Sequence, residues 1–90
     1  WRIVGRNVRH GRGEIDIIAE RAGVVAVCEV KTRASNAFGS PAEAMNPAKC
    51  RSVRLAAYGW ARENRVSLHS LRFDLAVVTG TALELIDNAF

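Results

Sequence analysis

Isoleucine and valine cluster in the first third of the chain, in two runs that predict a pair of β-strands. One run covers residues 12–19 and the other covers residues 24–31, with Ala22-Gly23 in the break between them. β-branched residues favour strands, and strands joined by so short a connection usually pair as a hairpin. We therefore expect two adjacent antiparallel strands.

The remaining apolar pattern predicts three more strands. Residues 1–8 alternate loosely and indicate an opening strand, which a turn at residues 9–13 should end. Residues 71–78 become increasingly apolar, which is typical of an interior strand. Residues 82–86 follow the Gly80-Thr81 turn and predict a short edge strand.

A helix is predicted from about Pro47 to Glu63. Asn46 can cap it, proline suits its first position, and Asn64 is a plausible stop. Its core-facing stripe should contain Val53, Ala56, Ala57, Trp60 and Ala61. A shorter helix is expected to begin at Ser40, after a polar loop.

These elements predict one α/β domain over residues 1–90. Their order is strand, strand, strand, helix, strand, strand. A single helix crossing between strands implies a mixed sheet with that helix on one face.

Composition is that of an ordinary folded domain, with 49% hydrophobic and 24% charged residues among 90. The sequence contains neither an apolar run of membrane-spanning length nor a signal-peptide pattern, so we expect a cytoplasmic protein with no membrane partner. Cys28 and Cys50 have no metal-binding spacing and are interpreted as reduced thiols.

The net charge of +4 comes from residues 1–54, because the rest of the chain carries slightly more acids than bases. Such a distribution suits a polyanionic ligand, although a solvated basic surface is the alternative. His10 could act as a general base or simply be solvated. The candidate nucleic-acid-binding residues are Arg9, Arg12, Lys49, Arg51 and Arg54.

Four charged residues interrupt the two central strands. Strand alternation places Glu14 and Asp16 on one face of the first strand, and Glu29 and Lys31 on one face of the second. Unpaired buried charge is costly, whereas Mg²⁺ would neutralise such a cluster and leave positions for water and phosphate. The pattern therefore predicts a magnesium site.

Asp74 is a further acid near the polar end of a predicted strand. It could approach the metal or pair with Arg72, and we favour the pair.

Asp16 followed by Glu29-Val30-Lys31 resembles the D…(D/E)xK arrangement of restriction-endonuclease-like nucleases, the PD-(D/E)xK superfamily. Three local blocks, at residues 13–16, 29–33 and 38–44, resemble more specifically the YraN-like family of uncharacterised bacterial proteins. That family is similar to archaeal Holliday junction resolvases.

The resemblance implies a restriction-endonuclease-like mixed sheet flanked by helices. It also implies a helix before residue 1, covering the other face, so we expect this chain to be incomplete at its N-terminus.

The activity implied is that of a Mg²⁺-dependent DNA endonuclease, with Mn²⁺ as a possible substitute. Asp16 and Glu29 would bind the metal, with the carbonyl of Val30 as a third ligand. Lys31 would orient the attacking water or stabilise the negative charge that develops on the phosphate. Glu14 could hold a water next to the metal's ligands or a second metal, or it could be a surface acid on the edge of its strand.

Two other classes of function stay open. A nucleic-acid-binding module could keep the fold without the reaction, and a plain oligomerisation module would bind neither metal nor nucleic acid. A homodimer would suit two-fold DNA junctions. The sequence contains no motif that recognises particular bases, so we expect the protein to recognise the DNA backbone and its shape. Branched DNA as the substrate is suggested by the resemblance alone.

Overall fold

The computed structural model of the chain describes residues 1–33 and 45–90. Within these ranges lie a 3-10 helix at Leu68–Ser70 and six longer elements: β1 (Arg2–His10), β2 (Gly13–Arg21), β3 (Val24–Arg33), α1 (Pro47–Glu63), β4 (Leu71–Thr79) and β5 (Ala82–Ile86). Across the described ranges, no helix is both long and apolar enough to cross a lipid bilayer. The helix predicted from Ser40, and the loop before it, fall outside the described residues.

The strands form a mixed sheet in the order β1-β2-β3-β4-β5. Neighbouring strands are antiparallel except β3 and β4, which are parallel. A parallel pair requires a crossover connection, and α1 lies in that connection. The predicted element order and the α/β mixed sheet are confirmed.

Helix α1 begins and ends where its local signals predict. The side chain of Asn46 accepts a hydrogen bond from the backbone N–H of Lys49 at 2.8 Å, and Pro47 occupies the first turn. The helix ends at Glu63, and Asn64 caps it through its backbone N–H. These bounds match the prediction at both ends.

The core lies between α1 and one face of the sheet. The helix contributes the small residues of its predicted stripe, while Trp60 packs partly buried at the margin. The buried residues of this core are Ile15, Ile18, Val25, Val27, Val53, Ala56, Ala57 and Phe73. Small helix residues let the helix approach the sheet closely, so the larger strand side chains fill the space between them.

Two glycines bring α1 against the β1–β2 hairpin. A Cβ on Gly13 would lie 2.7 Å from the carbonyl oxygen of Ser52, and a Cβ on Gly59 would overlap the ring of His10. His10 also contacts Glu63, with 3.0 Å between Nε2 and Oε1. His10 is therefore half-buried at the end of β1, and its placement in a solvated turn was wrong.

The turn itself is shorter than predicted. Arg9 and His10 belong to β1 and Gly13 to β2, so only residues 11–12 connect the strands. Long-range packing on α1 extends both strands beyond the point where the two glycines suggested a break.

Strict alternation fails in the middle of β2. Ile15 and Ile18 are both fully buried in the core facing α1, although alternation over three residues would place them on opposite faces. The irregularity coincides with Asn7 on β1, whose φ of 50° lies in the left-handed region. Asn7 and Asp16 are skipped in the pairing of the two strands. Asp16 therefore sits at a local kink.

Candidate metal centre between β2 and β3

The kink at Asp16 opens a gap between the two central strands. Pairing of β2 with β3 runs from Arg21 and Val24 to Ile17 and Cys28 and does not continue to Asp16. Instead, the carboxylate of Asp16 accepts a hydrogen bond from the backbone N–H of Val30, with 2.8 Å between Oδ2 and N. The side chain of Asp16 thus replaces a ladder hydrogen bond and lies in the gap.

Val30 presents its main chain to the same gap. In an extended strand the N–H and C=O of one residue point toward the same neighbouring strand. Because the N–H of Val30 bonds Asp16, its carbonyl oxygen faces the β2 side as well. Two oxygen donors of the predicted metal site, from Asp16 and Val30, therefore share this opening.

Glu29 lies beside the gap on the face covered by α1. It continues the row of Val25 and Val27, and its side chain is only 5% exposed. One carboxylate oxygen, Oε2, lies 3.2 Å from Nζ of Lys49, whereas Oε1 is buried without a hydrogen-bond partner among the described residues. An unsatisfied buried oxygen is unusual and marks a place where an added ligand would bind.

The pKa of Glu29 reflects this setting. Burial raises it above the ordinary value of 4.5, and the nearby charge of Asp16 raises it further. The hydrogen bond and charge of Lys49 oppose the rise. The two carboxylates therefore repel one another, and a cation between them would relieve the repulsion.

Lys31 lies two residues beyond Glu29 on β3, which pairs regularly with β4 through this stretch. Alternation therefore directs both side chains to the same side of the sheet. Lys31 is exposed, and no ion pair holds its ammonium group in the part of the chain that the structure describes. The positive charge of Lys31 can therefore attract an anionic ligand at the end of the gap.

A shallow cleft of about 390 Å³ borders the gap. It is lined by Arg6, Asn7, Asp16, Ile17 and Val30. The exposed Arg6 and the kinked Asn7 were missed by sequence reasoning, which treated their strand as loosely alternating. The break in alternation at residues 5–7 was the available signal, since asparagine tolerates the left-handed region better than most residues.

The donors at this gap suit Mg²⁺ in chemistry and number. Nowhere in residues 1–33 and 45–90 do three or more His, Cys, Asp or Glu side chains gather into a metal-holding group. Mg²⁺ commonly uses one or two carboxylates, with waters and substrate phosphates completing its octahedron. Asp16, Glu29 and the carbonyl of Val30 are therefore of the donor type and number that such an ion uses, and Oε1 of Glu29, which has no partner among the described residues, is the supporting observation.

Cys28 contributes no thiolate to this site. It faces away from α1, on the side opposite Glu29, and lines a separate cavity of about 190 Å³. Burial, and then the charges of Asp74, Glu29 and Asp16, raise the pKa of its thiol to about 11. Both cysteines are unpaired thiols.

Glu14 forms an ion pair across the β1–β2 hairpin. It lies directly opposite Arg9 across the hairpin, with 3.5 Å between Oε2 and Nη2. The carboxylate of Asp16 instead accepts a hydrogen bond from the backbone N–H of Val30, so the two acids have different partners. The structure places Glu14 at the surface, in an ion pair with a candidate DNA-binding residue.

Arg54 is held inside the fold. Its Nη1 donates to the carbonyl oxygen of Phe90 at 2.6 Å, and its guanidinium lies 4.4 Å from the ring centre of Phe73. The candidate nucleic-acid-binding residues therefore differ in their surroundings: Arg12 and Arg51 are exposed, while Arg54 packs against aromatic rings.

The family model described as "Uncharacterised protein family UPF0102" matches residues 1–78. A UPF0102 protein of Trichlorobacter lovleyi is 38% identical over all of this chain and 76% of its own length. One from Alkaliphilus metalliredigens is 39% identical over all of this chain and 82% of its own length.

A third UPF0102 protein, from Oleidesulfovibrio alaskensis, is 44% identical over 90% of this chain, which spans only 40% of that relative. The matches confirm the predicted kinship with uncharacterised bacterial proteins, and the chain belongs to the uncharacterised protein family UPF0102.

Proposed function

We propose that this protein is a metal-dependent nuclease of the restriction-endonuclease-like type, which hydrolyses phosphodiester bonds in DNA. One observation carries the proposal: within residues 1–33 and 45–90, the buried carboxylate of Glu29 has one oxygen without a hydrogen-bond partner, beside Asp16, where β2 separates from β3. A structural acid would be expected to have both oxygens satisfied.

The proposed metal ligands are Asp16, Glu29 and the carbonyl of Val30. When bound, Mg²⁺ supplies Lewis-acid chemistry: it lowers the pKa of a water and neutralises charge on the phosphate. The protein's own part is to fix these oxygens on two strands and to bury one of them, so that little reorganisation is needed.

Lys31 would act on the phosphate. Its ammonium group can donate hydrogen bonds to a non-bridging oxygen as negative charge grows there, or orient the attacking water. Arg6, across the cleft, would hold a neighbouring phosphate and fix the strand in register. Hydrolysis joins the water oxygen to phosphorus, breaks the bond to the leaving oxygen and returns a proton to that oxygen.

DNA with branches is the proposed substrate class, on the strength of the resemblance to junction resolvases. The described residues near the cleft supply charge and main-chain groups rather than a base-reading helix, which suits recognition by backbone and shape. A dimer acting on a two-fold junction extends the same proposal.

The test measures cleavage by the full-length protein on duplex, single-stranded, flap and four-way DNA, with Mg²⁺, Mn²⁺ or EDTA. We expect metal-dependent cleavage in the wild type and none in Asp16→Asn. Glu20→Gln is the matched control, because Glu20 is an exposed acid of the same strand that pairs with Arg2.

Cleavage that survives in Asp16→Asn would contradict the proposal. Metal-independent DNA binding without cleavage of any substrate would favour the alternative, a non-catalytic nucleic-acid-binding module on the same fold. That module would account for the positive charge of residues 1–54 and leave the free oxygen of Glu29 unexplained.

A further inference from the structure

We propose that Lys49 is a built-in substitute for the metal: its ammonium group neutralises Glu29 in the metal-free protein and competes with an arriving ion for the charge of that carboxylate. The inference rests on the proposed metal site and assigns that site a competing cation. Sequence reasoning placed Lys49 among the DNA-binding residues, and the structure gives it this closer partner.

The contact between the two charges is asymmetric. Nζ of Lys49 lies 3.2 Å from Oε2 of Glu29, and the lysine side chain is 48% exposed while that of the glutamate is 5% exposed. The lysine can therefore swing into water at little cost, whereas the carboxylate stays where it is. A lysine ammonium is a compact point charge on a flexible stem, which suits a removable partner.

The main chain of Lys49 is fixed while its side chain is free to move. Its N–H donates to Asn46 at the cap of α1, and Pro47 holds the first turn. The ammonium group can therefore leave Glu29 without unwinding the helix. Both cations are attracted by the single negative charge of Glu29, Lys49 at Oε2 and the metal at Oε1, so pairing with Lys49 weakens metal binding in proportion to the time that the pair is formed.

The experiment compares Mn²⁺ binding, by calorimetric titration, in full-length wild type and three Lys49 variants. Lys49→Met and Lys49→Gln remove the competing charge and should bind Mn²⁺ about tenfold more tightly or better, since a unit charge a few ångströms away contributes at least that much. Lys49→Arg can pair with Glu29 through two N–H groups and should bind Mn²⁺ more weakly than wild type.

Arg51→Met is the matched control. Arg51 is exposed two residues along the same helix and has no ion pair within the described ranges, so its loss should change the affinity much less than the loss of Lys49. In EDTA, Lys49→Met should also melt at a lower temperature than wild type, because Glu29 then keeps neither cation. Circular dichroism checks that each variant is folded.

Each outcome is decisive. Equal Mn²⁺ affinity in wild type, Lys49→Met and Lys49→Gln would overturn the inference and leave the metal site standing. Weaker binding in both uncharged variants would overturn it too, because Lys49 would then support the metal. Absence of Mn²⁺ binding in wild type and every variant would refute the proposed function together with the inference.

Discussion

Two buried acids on neighbouring strands, Glu29 on β3 and Asp74 on β4, differ in how fully the protein satisfies them. The carboxylate of Asp74 accepts two hydrogen bonds from Arg72, at 2.9 Å from Nε to Oδ1 and at 2.8 Å from Nη2 to Oδ2. Its Oδ1 also accepts a hydrogen bond from the backbone N–H of Asn88 at 3.1 Å. Glu29 has one side-chain partner, Lys49, on Oε2, and its Oε1 has no hydrogen-bond partner among the described residues.

The difference separates an acid that holds the fold together from one that can hold a ligand. The planar guanidinium of Arg72 matches both oxygens of Asp74, which confirms the predicted pair and leaves little room for a metal. Lys49 neutralises the charge of Glu29 but contacts only one of its two carboxylate oxygens. Burial alone therefore does not distinguish the two acids, whereas the number of hydrogen-bonded carboxylate oxygens does.

The largest effect that would sharpen this contrast is expected at Lys31, two residues from Glu29. If Lys31 stabilises charge in the transition state, Lys31→Ala should lower the cleavage rate at saturating DNA by about 10²-fold or more and leave DNA affinity nearly unchanged. Single-turnover cleavage and equilibrium binding measure the two quantities.

Arg62→Ala, which removes an exposed cation from the last turn of α1, is the control and should cleave like wild type. A Lys31→Ala protein that binds DNA weakly but cleaves at the wild-type rate when saturated would show that Lys31 only attracts phosphate.

Equivalent amide substitutions at the two acids should affect stability in different ways. Asp74→Asn removes charge-assisted hydrogen bonds and should lower the free energy of unfolding by about 1–3 kcal/mol. Glu29→Gln removes a buried charge with a single partner, and should leave the metal-free stability at pH 7 within about 1 kcal/mol or raise it. Urea denaturation in EDTA measures both.

Mn²⁺ titration of the same two variants completes the comparison. Asp74→Asn should retain metal binding and Glu29→Gln should lose it. Equal destabilisation of the two variants, or loss of metal binding in Asp74→Asn, would break the distinction between them.

The sequence predicts those parts of the fold that local signals determine. The cap at Asn46, the proline after it and the stop at Asn64 predicted where α1 begins and ends. The apolar residues along the chain predicted where β3 and β4 lie, because both strands are buried on both faces over several consecutive residues.

The departures from prediction all depend on residues far apart in the chain. The kink at Asp16 arises against Asn7 of the neighbouring strand, and Glu29 meets Lys49 only because α1 crosses the sheet there. Arg54 bonds the carbonyl of Phe90, 36 residues away. Spacing along the chain does not show which side chains such contacts bring together, so the pair of Glu29 and Lys49 could not be predicted.

A smaller effect is expected at Arg6, which borders the cleft on the side of Asp16. If this cleft holds DNA, Arg6→Ala should weaken binding a few-fold and lower the slope of log affinity against log salt by about one, as for a lost phosphate contact. Arg2→Ala is the control on the same strand, because Arg2 pairs with Glu20 and does not line the cleft. Equal losses of DNA affinity in the two variants would mean that the cleft contributes no more to DNA binding than the rest of the strand.

The smallest expected effect is the pH dependence that Glu29 gives to stability. Its pKa in the folded protein is raised above the ordinary 4.5, chiefly by burial and then by Asp16. Between those two values the folded state binds more protons than the unfolded state, so the free energy of unfolding contributed by Glu29 falls as pH rises through this window.

Glutamine imitates the protonated acid and does not titrate, so Glu29→Gln should remove this contribution. In EDTA, the free energies of unfolding of wild type and variant should be closest below pH 4.5. As the pH rises toward neutrality, the free energy of unfolding of the wild type should fall relative to that of the variant. Saturating Mn²⁺ should abolish the loss in wild type, because a bound cation favours the ionised carboxylate. Parallel stability curves for the two proteins in EDTA would show that Lys49 compensates the burial of Glu29 completely, and would remove the energetic reason for a metal at this site.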